Sequence, residues 1–190
     1  MSHGHGHGIA NGDNKKIAIF IAVLALFLSI AETLGKSAQT DALKYNVESS
    51  NLWAFFQAKT IRKTTLETAA EHLEVDIQLT KEPNERELLE KRLGTWKTRV
   101  ARYESEPETQ EGRKELMTRA RAIEEKSALA MAKYHNYEFG SAAFQIAIVL
   151  ASSYLITGVT FLFWAAGGLG VSGLLFSGLA LLAPNALHMF

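Results

Sequence analysis

Apolar residues are distributed unevenly along this chain. Ile17 to Ala31 contains no charged residue, and neither does Phe139 to Phe190; nearly all charges lie between Glu32 and Glu138. That segregation predicts membrane helices flanking a polar region rather than a globule. The first run, "IAIFIAVLALFLSIAETL" over 17 to 34, would rise roughly 27 Å as a helix, close to the hydrocarbon thickness. Lys15 and Lys16 precede it, as they would in a secretory signal. The run is longer than a signal h-region and "ETLGKSAQT" is a poor cleavage site, so a retained span over 15–35 is expected. "FGSAAFQIAIVLASSYLITGVTFLFW" predicts a second span over 139–164. Gly167, Gly168 and Gly170 predict a tight turn over 165–171. A third span and tail then occupy 172–190, short and Gly-rich enough to be tilted or only partly inserted.

Between the first two spans the period becomes helical. Residues 36–81 are good helix formers, with Leu52, Phe55, Lys59, Leu66, Ala70, Leu73 and Ile77 on one face. Pro83 breaks the pattern. Leu89, Leu93, Trp96, Val100 and Tyr103 then form a heptad seam, and Pro107 interrupts. Leu116, Ala120, Ile123, Ser127, Ala130, Tyr134 and Tyr137 resume it. The chain must return to the membrane by about residue 139. A helix over 36–81 extends roughly 69 Å from it, so a second full reversal at Pro107 would point the last helix away from the bilayer unless the first helix also broke, for instance near Gly35. The expected fold is therefore all-α: an integral membrane protein with three transmembrane helices. A long antiparallel coiled-coil hairpin over 36–138 separates the first two, with its tip near 83 and a kink near 107.

One stretch stands apart. "SNLWAFFQAKTIRKTT" sets Trp53, Phe55 and Phe56 just before Lys59, Arg62 and Lys63. With the tip at Pro83, Leu73 faces Leu93, Ala70 faces Trp96, Lys63 faces Tyr103, and Lys59 lies level with Pro107. Glu104, Glu106, Glu108 and Glu111 surround that proline, so a basic cluster faces an acidic one. Lys59 falls inside the apolar sector, where a membrane-surface helix would keep its cations apart from its aromatics. A packed seam, with the lysine stem crossing aromatic surface, is preferred to a membrane anchor or a ligand site.

"NKKIAIFIAVLALFLSIAETLGKSAQT" followed by "ESSNLWAFFQAKTIRKTT" resembles a bacterial membrane-protein family catalogued as domain of unknown function number 4337. The resemblance extends to the late "FQIAIVLAS" helix. It implies the architecture and brings no activity, cofactor or catalytic residue.

The remaining chemistry is sparse. Zero net charge argues against a nucleic-acid partner, and the absence of cysteine excludes disulfides and thiolate sites. His3, His5 and His7 alternate with glycine in a tail over 1–14 that is expected to be flexible and able to bind zinc, nickel or copper weakly. Glu32, the one carboxylate near a span, is expected to pair with Lys133 rather than carry protons. No phosphate loop, nucleophile elbow or His-Glu metal motif occurs, so no enzyme and no cofactor are expected. Small residues four apart (Ala147 and Ala151, Ala166 and Gly170, Gly173 and Ser177) permit close helix approach within or between chains.

The expected role is a self-associating scaffold or interaction module in the bacterial inner membrane, a homo-oligomer whose helical arm meets a protein partner. A channel or sensor lined by the last two helices, and metal handling by the His-rich tail, are the alternatives. Lys36, Lys44, Lys126 and Lys133 on the arm side outnumber Lys15 and Lys16, which favours a cytoplasmic arm.

Overall fold

The computed structural model describes residues 12–186. Every regular element among them is helical: α1 (Gly12–Leu79), α2 (Pro83–Glu104), α3 (Arg113–Thr157) and α4 (Thr160–Leu182). Three of these, α1, α3 and α4, contain stretches long and apolar enough to cross a membrane. The helices divide into two compact units. Residues up to Ala42 and from Ala128 onward form the first; Leu43–Ser127 forms the second.

The first unit is held by small residues. Leu24, Ala31, Ala38, Tyr137, Phe144, Ala147, Ala151, Ala166 and Ala180 form its core, and alanines at facing positions let helix backbones approach closely. Where two helices come nearest even a methyl group is excluded. A side chain at Gly173 would meet the Phe144 ring at 2.7 Å, and one at Gly170 would meet Leu24 Cδ2 at 2.9 Å. Phe144 itself stacks on Phe27, centroids 6.1 Å apart. The small pairs read from the sequence are thus largely used inside the chain. Asn136, only 4% exposed, donates from its amide to the Ala132 carbonyl at 3.1 Å and the Pro184 carbonyl at 2.9 Å. It fastens the end of α4 to α3.

The turn between α3 and α4 is not where the glycine cluster predicts it. Helix α3 ends at Thr157, and Gly158 turns the chain at φ +72° before Val159 and α4. That left-handed geometry is accessible to glycine without strain. Gly167, Gly168 and Gly170 are helical. The third apolar helix therefore covers 160–182 rather than starting at 172, and its 23 residues span about 34 Å.

In the second unit α1 ends at Leu79 and Pro83 opens the first turn of α2, where its missing N–H leaves no bond unmade. Glu74 pairs with Lys97 at 2.7 Å and Lys63 with Glu104 at 3.0 Å. Ala70, Leu73 and Ile77 are buried. Leu89, Leu93, Trp96, Val100 and Tyr103 are half-buried on the facing side of α2, which has no fully buried residue.

Pro107 marks a break rather than the expected kink. Helix stops at Glu104 and resumes at Arg113. Ser105, which caps α2, is extended (φ −149°, ψ 128°), and Glu106, the residue directly before Pro107, is disfavoured from helical geometry by the ring. Gln110 is left-handed at φ 59°, its amide donating to the Pro107 carbonyl at 2.7 Å. Gly112 closes the segment where no side chain fits: a Cβ would lie 2.7 Å from Ser105 Cα and closer still to the Glu115 carboxylate and the Glu106 nitrogen.

Candidate functional site

The aromatic-basic stretch and this break form one site in the second unit. Seven residues separate Trp53 from Thr60, two turns of helix. Trp53, Phe56, Lys59, Thr60 and Lys63 consequently share a face of α1 turned toward the 104–124 segment. Lys59 is 7% exposed. Its ammonium lies 5.4 Å from the Phe55 ring centre and 5.6 Å from that of Tyr103. It also stands 3.9 Å from Glu106 Oε2 and 3.8 Å from Glu111 Oε2. The expected seam lysine, with its stem on aromatic surface and its charge against carboxylates, is what these contacts describe.

One turn further along α1, Lys63 bridges Glu104 at 3.0 Å and Glu67 at 3.3 Å. Glu104 takes a second cation, Arg113, at 2.7 Å. The hydrogen bond from Lys63, reinforced by that from Arg113, holds the Glu104 carboxyl below the usual carboxylate range. Reciprocally, the bond to Glu104 raises Lys63 above the usual lysine value. Glu106 is lowered first by Arg102, its hydrogen-bonded neighbour one helical turn earlier.

Three participants carry no sequence signal of their own. Arg113 lies over the Phe56 ring at 5.0 Å, donates from Nε to Thr60 Oγ1 at 2.8 Å and reaches Glu104. Glu115 holds the break closed, accepting from the Ser105 hydroxyl at 2.6 Å and the Glu106 backbone N–H at 3.1 Å. The Ser105 bond is the chief reason its carboxyl is also lowered. Glu124 accepts the Trp53 indole N–H at 2.7 Å, while Trp53 meets Phe56 edge-on at 5.4 Å. Tertiary placement alone distinguishes these residues from the many other charges on α3.

Two expected members do not join. Arg62 is exposed and forms no ion pair among the described residues. Glu32, in the first unit, does not meet Lys133. It accepts from Gln145 Nε2 at 3.0 Å. The hairpin register assumed continuous helix through Pro107. The non-helical residues 105–112 use up sequence with little rise, so α1 residues meet partners further along α3 than that register gives. His3, His5 and His7 lie outside the described residues. Among the described residues no group of three or more acidic, His or Cys side chains could hold a metal ion.

The cluster spends its charges on one another: cations sit against rings and carboxylates. It is a device for joining helices. One family model, described as a domain of unknown function (DUF4337), matches residues 13–183, a span that takes in nearly all of the four helices. No curated protein and no solved structure matches the chain.

Proposed function

The chain belongs to the DUF4337 family, and on that premise we propose that it is a non-enzymatic, self-associating membrane protein whose second unit is a scaffold or interaction module. The apolar parts of α1, α3 and α4 are the membrane spans, and the 43–127 segment folds back on itself as an antiparallel helical hairpin. The membrane is the bacterial inner membrane, with the hairpin on its cytoplasmic side.

The observation that carries this reading is the exposed apolar surface of the first unit. Ile19, Leu26, Phe161, Trp164, Leu175 and Leu182 are among many large side chains left uncovered there. Surface of this kind, on helices of spanning length, calls for lipid as its solvent. The scaffold role is supported by the second unit. Its ionic cluster fastens helices together, and α2, whose seam is only half-buried where it faces α1 and has no residue fully buried, leaves apolar edge that a second copy or a partner helix would cover.

Flotation of the full-length chain with liposomes in alkaline carbonate tests insertion, and recovery in the bottom fraction would refute it. Light scattering in detergent tests self-association, and a monomeric mass at every concentration would refute that part. Single cysteines at Asn84 and Ser2, introduced into a chain that has none, report orientation on intact cells. Labelling of Asn84→Cys by an impermeant reagent, with Ser2→Cys protected, would invert the topology.

A further inference from the structure

A second polar site lies in the first unit, apart from the Lys59 cluster. A cavity of about 270 Å³ is lined by Glu32, Lys36, Tyr134, Tyr137, Glu138 and Ser141, among others. Its position in the sequence is informative. Glu32 directly follows the charge-free run Ile17–Ala31, and Glu138 directly precedes the one that starts at Phe139. The cavity therefore marks the boundary where two apolar segments turn polar.

Its charges are not spent on one another. Glu32 accepts from Gln145 through Oε1. Glu138 accepts from the Tyr134 hydroxyl at 3.3 Å and lies 3.6 Å from His135 Nδ1. Lys36, one helical turn beyond Glu32, forms no ion pair among the described residues. Two carboxylates and a free ammonium thus share one cavity, with two tyrosines in its wall.

We propose that this cavity binds the headgroup of a zwitterionic phospholipid carrying a primary amine, of the phosphatidylethanolamine class; this rests on the membrane reading above. The lipid ammonium is drawn to the carboxylates of this wall, Glu32 and Glu138, and donates charge-assisted hydrogen bonds to the carboxylate it meets. Its phosphate meets Lys36. A quaternary choline has no N–H to donate and loses the carboxylate bonds. An anionic headgroup gains Lys36 but faces two carboxylates. The cavity is small by the standard of ligand sites. It suits a headgroup whose acyl chains run along exposed apolar residues of the same helices, such as Ile30, Leu34 and Phe139.

The test is titration of the full-length chain in detergent micelles with short-chain phosphatidylethanolamine, phosphatidylcholine and phosphatidylglycerol, followed by calorimetry. The ethanolamine lipid is expected to bind about tenfold tighter than either of the others. The double variant E32Q/E138Q should abolish that preference, and K36Q should weaken the ethanolamine and glycerol lipids together. Equal affinity for the ethanolamine and choline lipids in the unaltered chain, which needs no variant to fold, would overturn the proposal. So would tighter binding of the glycerol lipid, or a double variant that keeps the preference. A chain that fails to float with liposomes refutes the membrane reading; a chain that floats without headgroup preference refutes this inference alone.

Discussion

Reversing the charge of Lys59 should loosen the second unit far more than removing it. Lys59→Met keeps an unbranched stem of similar length and deletes the ammonium. The loss is two cation–π contacts, each about 0.5–1 kcal/mol, and two long ion pairs of little value. Neither carboxylate is stranded, since Glu106 keeps Arg102 and Glu111 is half exposed. The net effect is about 1–2 kcal/mol. Lys59→Glu instead buries an anion beside Glu106, Glu111 and the negative faces of two rings. An unpaired buried charge costs about 3–5 kcal/mol. Lys44→Glu, on an exposed stretch of the same helix, should cost no more than about 0.5 kcal/mol. Hydrogen exchange on the full-length chain in micelles reads local opening directly. Amides near residue 59 and in 100–106 should exchange at least roughly a hundredfold faster in Lys59→Glu, and only about tenfold faster in Lys59→Met. Equal exchange in Lys59→Glu and Lys44→Glu would refute the trapped-cation argument. Equal exchange in the Glu and Met variants would show that the burial of charge is not what matters.

Two glycines form a matched pair: Gly112→Ala should lower the thermal midpoint by overpacking worth about 1–3 kcal/mol. Gly94→Ala, in the interior of α2 where a Cβ meets nothing within 4 Å, should raise it by about 0.5–1 kcal/mol, both followed by circular dichroism. Because Glu104 has a depressed folded pKa, its contribution is present above the ordinary glutamate pKa and is lost as pH falls through the lower folded value. At neutral pH the second unit of the unaltered chain should therefore exchange more slowly than that of a Glu104→Gln variant, and the difference should close as pH falls through that lower value; a gap that persists in acid would refute the linkage. Asn136→Ala should free the end of α4 at a cost of about 1–3 kcal/mol, read as faster exchange at residues 179–186. Cysteines replacing Glu74 and Lys97 should cross-link within one chain, and cysteines at Glu74 and Leu116 should not.

What the sequence discloses about this molecule follows from how directly each feature is encoded. Apolar runs and the Pro83 boundary are local signals, so the helices that contain them were legible. The facing of Lys59 and Lys63 to the acidic residues around Pro107 was also legible, because register near a fixed turn is a matter of counting. Counting fails once an irregular segment intervenes. Nothing in "SEPETQEG" states how far the chain rises, and counting pairs Glu32 with Lys133 where it meets Gln145. The α3–α4 turn misleads for another reason. A cluster of glycines is the stronger turn signal in isolation, yet glycine also serves where helices touch. Gly170 and Gly173 are spent against Leu24 and Phe144, leaving the single Gly158 to reverse the chain. Arg113, Glu115 and Glu124 were invisible because an exposed helical charge carries no mark of the partner that tertiary structure brings to it.

The burial of Lys59 also makes it a chemical clock. An amine must be reachable to react with an acylating reagent, and exposed lysines such as Lys91, Lys97 and Lys114 are reachable at all times. Lys59, walled by Phe55, Tyr103 and two carboxylates, can be acylated only during moments when the helices part. Its modification should lag behind theirs, and the lag measures how often the second unit opens. Acylation also leaves a bulkier, neutral amide where the ammonium packed against Phe55 and Tyr103, so the modified unit should open more often than the unmodified one.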